Sequence, residues 1–348
     1  MNSSRWRLAS AFALAFVIVT IINFYVFGRM SGLLGLENRF AQLGFAFAMA
    51  VLLGVGFFVR TSTVKGTKSL FVVVTSIYGI ELIALPALFC YEIVQLIVDV
   101  PTLLAGQVIL IFVLVIAAVS LVNAQLLVIR KLKLPFARKL RVVHLTDVHI
   151  GAAHGRRYLA RVVAIVNCLK PDLVLITGDI VSGAVAPGNS RLENFARLES
   201  PTYMVPGNHE YYEGVDEIRA ALPENVVILR DEEVGFDGYS LFGLDFSQDQ
   251  GISGARKIDR KFEKPTIAMA HVPQFLDLPA GSIILSGHYH AGQVFPINWL
   301  GRFAVKYFRG FYTENSITLY VAPGTATWGP PMRFGSSNEI TLFELGPD

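Results

Sequence analysis

Five short motifs hold the residues whose types and spacing could do chemistry. They are Asp147-Val148-His149, Gly178-Asp179, Gly207-Asn208-His209-Glu210, the single His271, and Gly287-His288-Tyr289-His290. Five of the chain's seven histidines fall in them. As a donor set they offer carboxylate and amide oxygen with imidazole nitrogen, and no thiolate. Such a set suits a dinuclear site for manganese, iron, zinc or similar divalent ions and disfavours a structural Cys-zinc site. Gly178, Gly207 and Gly287 each precede a candidate ligand, where a missing side chain allows a sharp turn or close backbone approach.

The elements that must position these motifs are legible around them. Short β-branched runs at 141–146, 173–177, 202–205, 226–229, 239–243, 266–270, 283–286, 317–322 and 339–344 predict strands. Helices are expected near 155–169, 189–199 and 214–221. The early part alternates strand and helix, and the late part is mostly strand, which suggests packed sheets with helices outside. Each motif sits where a predicted strand ends, and ligands in such sheets gather beyond the carboxyl ends of the strands.

The motifs, taken together and in order, resemble the calcineurin-like metallophosphoesterases over about residues 141–345. The resemblance implies a four-layer α/β-β/α sandwich with a dimetal site at its edge. It places Asp147, His149 and His290 on one metal and Asn208, His271 and His288 on the other, with Asp179 bridging. His209 would stand near the leaving group. Segments 287–294 (GHYHAGQV) and 321–335 (VAPGTATWGPPMRFG) look like the membrane-associated bacterial branch, which includes hydrolases of lipid-linked sugars. One position departs from the protein-phosphatase branch. Three residues after Asp179, where that branch has an acid supporting the histidine, this chain has Ser182, which argues against Ser/Thr-protein phosphatase activity more than against catalysis.

The expected reaction is hydrolysis of a phosphodiester or pyrophosphate. Two divalent cations, manganese first, with iron, zinc, nickel or cobalt as alternatives, would lower the pKa of a bridging water. The resulting hydroxide would attack phosphorus in line, with Asp179 and His209 as catalytic residues and His209 serving the leaving oxygen.

Composition separates this region from the rest. The 348 residues are 53% hydrophobic and only 16% charged, which excludes disorder over the whole length. Residues 1–129 hold seven Lys/Arg and four Asp/Glu, leaving 23 of each for 130–348. Apolar runs at roughly 8–28, 40–59, 70–98 and 103–129 are each long enough to span a bilayer. The expected organisation is a four-helix transmembrane domain over 1–129, a basic juxtamembrane linker over 130–141, and the phosphoesterase domain over 142–348. With the N-terminus inside, eleven Lys/Arg lie on the inner side, among them Arg5, Arg7, Arg60, Lys65, Lys68 and six residues of 130–141. Arg29 and Arg39 lie outside. That bias puts the catalytic domain in the cytoplasm of a cell whose plasma or inner membrane holds four spans.

Several residues carry two readings. Glu81 and Glu92 share a helical face in the third span. They form a proton or ligand path, or a polar seam against Gln107, Asn123 or Gln125 of the fourth, since no intramembrane cation is seen to answer them. The linker is a stop-transfer flank, a strip lying on anionic lipid, or both. His144 fits a core role better than a catalytic one. His154, Arg156 and Arg157 are either phosphate contacts or a solvated helix start. In 295–312, Trp299, Phe303, Tyr307 and Phe311 recur every four residues with Arg302, Lys306 and Arg309 between them. That pattern fits an amphipathic membrane-interface helix, a wall of an acyl pocket that includes Trp299 and Arg302, or a packed loop. Residues 142–348 hold 17 basic and 23 acidic residues, so no nucleic-acid partner is expected. The expected partner is membrane lipid and the expected substrate a lipid-linked phosphoester. The alternatives are a soluble phosphoester, or a membrane sensor or scaffold that keeps the fold without turnover.

Overall fold

The computed structural model describes residues 3–59, 66–183, 191–247, 256 and 258–347. The chain forms two compact units, Met1–Ser120 and Leu121–Asp348.

The first unit is built from α1 (Ser3–Leu33), α2 (Arg39–Val59), α3 (Thr67–Gln95) and α4 (Thr102–Asn123). All four are long and apolar enough to cross a membrane. Within each helix most backbone groups pair with one another, apart from the ends and the turn before Pro86 in α3, so the side-chain polar groups are what need partners from other helices. Those partners differ from the expected seam with the fourth span. Arg29 of α1 forms a two-pronged ion pair with Glu92 of α3, Nε to Oε1 at 2.5 Å and Nη2 to Oε2 at 3.0 Å. Glu81 is buried beside Asn23 of α1, whose amide donates to Oε2 at 2.5 Å. Both acids therefore face α1, and a cation on the first helix does answer one of them. Arg60 and Lys65 of the charge-bias argument lie outside the described residues.

The second unit contains two six-stranded mixed sheets. Its strands are β1 (Leu127–Pro135), β2 (Leu140–Leu145), β3 (Leu173–Thr177), β4 (Thr202–Val205), β5 (Val226–Ile228), β6 (Glu232–Gly235), β7 (Ser240–Leu244), β8 (Thr266–Ala270), β9 (Ile283–Ser286), β10 (Gly310–Glu314), β11 (Ile317–Val321) and β12 (Asn338–Gly346). The strand orders are β1-β12-β2-β3-β4-β5 and β10-β11-β9-β8-β7-β6. The chain completes most of one sheet, builds the other, and returns through β12. Its helices are α5 (Arg156–Leu169), α6 (Asn208–Glu213), α7 (Val215–Ala221) and α8 (Ile297–Ala304).

Alternation along the strands makes the layers. In β3, Leu173 and Leu175 enter the core between the sheets, whereas Val174 and Ile176 face Leu159, Val162 and Val166 of α5. In β8, Ile267 and Met269 enter the same inter-sheet core, whereas Ala268 and Ala270 face outward against Leu276 and Leu278. This is the period of two that a strand between two apolar layers requires.

Three expectations change. Residues 130–141 are not a linker but most of β1 and the turn into β2. β1 pairs in parallel with β12 from Leu127↔Asn338 to Pro135↔Gly346. Leu132 and Leu134 pack on the inter-sheet core and Phe136 is buried in it, while Arg130, Lys131 and Lys133 are exposed at the sheet edge. The fourth helix ends at Asn123 rather than 129. The helix expected over 189–199 is a 3₁₀ turn, Glu193–Arg197, with 189 and 190 outside the described residues.

Candidate metal centre

β2, β3 and β4 run parallel in one sheet, and β8 and β9 run parallel in the other. The loops leaving their carboxyl ends bring the motif residues together. Three groups have ligand atoms all within 4.8 Å of one another: Asp147 with His149 and His290, His149 with Asp179 and His209, and Asp179 with His271 and His288. Asp179 and His149 each belong to two groups, so the ligands form one continuous cluster. Asn208 joins it through Oδ1, 3.0 Å from His271 Nε2.

The backbone is bent to achieve this. Five of the seven candidate ligands have positive φ: Asp147 (52°), His149 (44°), Asp179 (55°), His288 (78°) and His290 (50°). Residues other than glycine adopt this region at a cost of order 1–3 kcal/mol each, and such strain collects at functional sites. The turns are over-determined by backbone hydrogen bonds. Asp147 N–H donates to Gly178 O at 3.0 Å, His149 N–H to Asp179 O at 3.0 Å, and Gly287 N–H to His271 O at 3.1 Å. Gly207 and Gly287 permit the close packing. A Cβ on Gly207 would lie 2.3 Å from Asp179 Oδ1, and one on Gly287 would lie 2.2 Å from Asp147 Oδ2.

The donor set fits divalent cations. His149 Nε2 and His290 Nε2 face each other at 3.0 Å, and His288 Nδ1 faces His271 Nε2 at 3.1 Å. Asp147 Oδ2 accepts from Thr146 Oγ1 and from His288 N–H, while Oδ1 is buried without a hydrogen-bond partner among the described residues. Converging imidazole nitrogens and a spare carboxylate oxygen are what a cation would satisfy.

The electrostatics agree. Burial holds His149 well below the usual imidazole range, helped by His209 and His290. Burial brings His290 down to about 3, with Arg333 adding to the effect, and His288 down to about 4, with His271 adding. These three rings are neutral ligands in waiting. His271 behaves oppositely: burial lowers it, but Asp179 and Asp147 prevail and raise it to about 10. Burial works against ionisation of Asp179, yet His271 and His209 hold it well below the carboxylate range.

His209 stands at the rim with its N–H donating to Asp179 Oδ1 at 2.9 Å. Its ring is edge-on to His149 at 4.8 Å and packs against Tyr212 (5.6 Å) and Trp328 (6.1 Å).

The tentative substrate contacts do not gather here. His154 is buried, neither solvated nor presented to a ligand. Its Nε2 pairs with Thr327 Oγ1 at 2.7 Å, its ring lies tilted against that of Tyr158 at 4.3 Å, and burial lowers it to about 4. Arg156 pairs with Glu193 at 3.0 Å, and Arg157 is exposed on the first turn of α5. Trp299 and Arg302 are exposed on α8. The four-residue spacing stops being helical after Ala304: Tyr307 lies in the following loop and Phe311 on β10. His144 is a core residue, bonded to Thr177 Oγ1 at 2.8 Å.

Sequence reasoning leaves two residues of the quoted segments without a role. Glu210, buried in the first turn of α6, accepts from Asp179 N (2.7 Å), Ile180 N (2.9 Å) and Gly207 N (2.7 Å). Burial and the charge of Asp179 raise it to about 7 against those bonds. The Asn-His-Glu spacing after a glycine was the available signal, a reach back to the helix start. Arg333 is fully buried and donates to His290 O (2.8 Å), Pro323 O (2.8 Å), Ala326 O (2.6 Å), Asn338 Oδ1 (2.9 Å) and Ser336 Oγ (3.1 Å). Four of these partners are near it in sequence, and the bond to His290 O ties that neighbourhood to the ligand loop 43 residues away.

The family model for calcineurin-like phosphoesterases matches residues 140–292. The chain carries a calcineurin-like metallophosphoesterase domain. The chain is also similar to a Helicobacter pylori protein described as an uncharacterized metallophosphoesterase, 35% identical over 224 residues, 60% of this chain and 60% of that one. A Bos taurus protein described as a transmembrane protein with metallophosphoesterase domain is 34% identical over 239 residues, 61% of this chain and 54% of its own length. The chain thus spans less than two thirds of the length of these relatives. A solved structure described as a dimetal phosphatase from Danio rerio aligns with 56% of this chain and 90% of its own at 11% identity and a TM-score of 0.32. Four helices long and apolar enough to cross a membrane mark the chain as a membrane protein.

Proposed function

We propose that the chain is a membrane-anchored, metal-dependent phosphoesterase that hydrolyses a phosphodiester or pyrophosphate in a lipid-linked substrate at the cytoplasmic face of a cell membrane. The observation that carries the hydrolytic reading is the continuous cluster of ligand groups joined through Asp179, with His209 on its rim. In this reading Asp147, His149 and His290 hold one divalent cation, Asn208, His271 and His288 hold the second, and Asp179 serves both. Two such cations, when bound, acidify a water and offset charge on the phosphoryl oxygens. The chain's own residues do the rest. Glu210 keeps Asp179 and the Gly207 turn in register through three backbone bonds. His209 passes a proton from a ring nitrogen to the leaving oxygen. Tyr212 and Trp328 flank that ring and limit its tilt.

The lipid-linked substrate and the orientation rest on the apolar helices and the basic bias. Four spans would add nothing for a freely soluble substrate. The Lys/Arg count is eleven on the inner side against two on the outer, the bias expected of an inner catalytic domain.

The test pairs two variants of the full-length protein. Asp179→Ala should lose both bound metal and nearly all hydrolysis of an aryl phosphodiester. His209→Ala should keep its metal content while losing rate. Wild-type turnover by His209→Ala would remove its proton-transfer role, and loss of metal in that variant would make it a ligand instead. Full-length protein that binds substoichiometric metal and hydrolyses nothing would favour a scaffold. Lipid profiling of cells with and without Asp179→Ala tests the substrate class: one accumulating phospholipid species supports it, and an unchanged profile favours a soluble phosphoester.

A further inference from the structure

We propose that α8 is a membrane-docking element whose outer face seats on an anionic lipid surface. The inference goes beyond the hydrolytic reading and does not depend on it. Its starting observation is a row of large apolar side chains turned to solvent on one short helix: Ile297 (44% exposed), Trp299 (55%), Leu300 (50%) and Phe303 (77%), with Phe295 (39%) just before it. Scattered single apolar residues on a surface need no explanation, but a contiguous set does.

The helix is held from its other side. Asn298 donates to Phe334 O at 2.9 Å, and Gly301 packs so closely on Phe308 that a Cβ there would lie 2.4 Å from the ring. Residues 298 and 301 share one helical face, and at 100° per residue Trp299, Leu300 and Phe303 point to the opposite one. The inner face is therefore held against the chain, and the outer face is displayed in a fixed orientation.

Chemistry and tethering select the occupant. Arg302 on the helix and Lys306 two residues past its end are both exposed, a basic complement to the apolar row of the kind interfacial helices use to bind negatively charged lipid. α8 has only eight residues, so it presents roughly 12 Å by 10 Å. That is far below the roughly 800 Å² per partner of a stable protein interface. A lipid surface has no such size requirement, and it is always close. α4 ends at Asn123 and β1 begins at Leu127, so the covalent tether between the last apolar helix and the sheet is about 10–14 Å when extended. At that effective concentration a weak docking helix suffices. Docking would also bear on the site. The 328–335 segment that fastens α8 through Phe334 carries Trp328 against the His209 ring, and Gln293 Nε2 donates to Trp328 O at 3.1 Å.

The chain has three tryptophans, Trp6, Trp299 and Trp328. Full-length protein carrying Trp6→Phe and Trp328→Phe reports on Trp299 alone. It is reconstituted in vesicles of phosphatidylcholine and phosphatidylglycerol, with and without bromine on the acyl chains. Emission should fall at least twofold in the brominated vesicles, and adding Leu300→Lys and Phe303→Lys should abolish that fall. Omitting phosphatidylglycerol should reduce the quenching by more than half. Equal emission in brominated and plain vesicles overturns the proposal, as does quenching that neutral vesicles support equally well. If the tryptophan variants do not fold, a nitroxide at Phe303→Cys in a Cys90→Ser, Cys168→Ser background gives the same readout. Stronger relaxation by oxygen than by a water-soluble nickel chelate is expected, and the reverse order overturns the docking.

Discussion

At the scale of single residues, the cluster works by opposing burial with charge. Removing a carboxylate or an imidazole from water favours its neutral form, and three of the ring ligands follow that rule. His271 does not, because two aspartates face it. At neutral pH its metal-free ring carries a proton that a cation must displace. Apparent metal affinity should therefore weaken as pH falls, by about tenfold per pH unit for each proton released. Calorimetric titrations at pH 6.5 and 7.5 in buffers of different ionisation heat measure both the affinity and the proton count. Affinity independent of pH would mean that His271 is already neutral. Glu210 makes a second prediction. Glu210→Gln replaces one of the two acceptor oxygens by an amide donor, so one or two of the three N–H groups lose their acceptor, and leaving such a buried group unsatisfied costs about 1–3 kcal/mol. A loss of about 2 kcal/mol or more in denaturant unfolding is expected, together with weaker metal retention. The motif residues themselves were legible because ligand chemistry restricts residue type and each lies at a strand end. The positive φ of five of them was not, since it follows from two sheets meeting.

At the scale of elements, the strands that carry the motifs are close to their expected bounds, because alternating β-branched runs leave few other solutions. β1 shows how a true signal can be outweighed. Leu132, Leu134 and Phe136 alternate with charged or small residues, which is a strand's period of two. Six cations in twelve residues after an apolar run also describe a stop-transfer flank, and by sequence alone that is the stronger signal. Pairing with β12 and burial of the alternate residues reveal the strand. Phe136→Ala tests this directly. Phe136 is buried against Tyr239 with ring centroids 5.8 Å apart, so the substitution should cost about 3–5 kcal/mol. A mobile linker would show no change in unfolding midpoint. α8 was visible as an aromatic and basic pattern, but its end at Ala304 depends on Phe308 turning inward to meet Gly301, which no local spacing reports.

At the scale of the whole molecule, ligands come from five strand ends in two sheets, so metal binding ties the second unit together. Anything bound only by the folded state stabilises it, by about 4 kcal/mol when its concentration is a thousand times the dissociation constant. Chelation should therefore lower the thermal midpoint of the second unit by roughly 10 °C, and re-addition of the metal should restore it. An unchanged midpoint in a scanning experiment would mean that the cluster does not hold metal in the folded protein. Arg333 belongs to this scale as well, because its five bonds join the loop of His290 to the 323–326 turn and the start of β12. The sequence by itself determined the two-part organisation, the apolar helices, the motif residues and the strands that carry them. Each of these depends on composition or on short-range periodicity, which a chain displays before it folds. Tertiary structure alone decided which cation answers Glu92, that the basic segment is a strand, that His154 is buried, and that Arg333 braces the site. Those outcomes depend on which distant segments meet, and burial and pairing between them are properties of the assembled layers rather than of any stretch of chain.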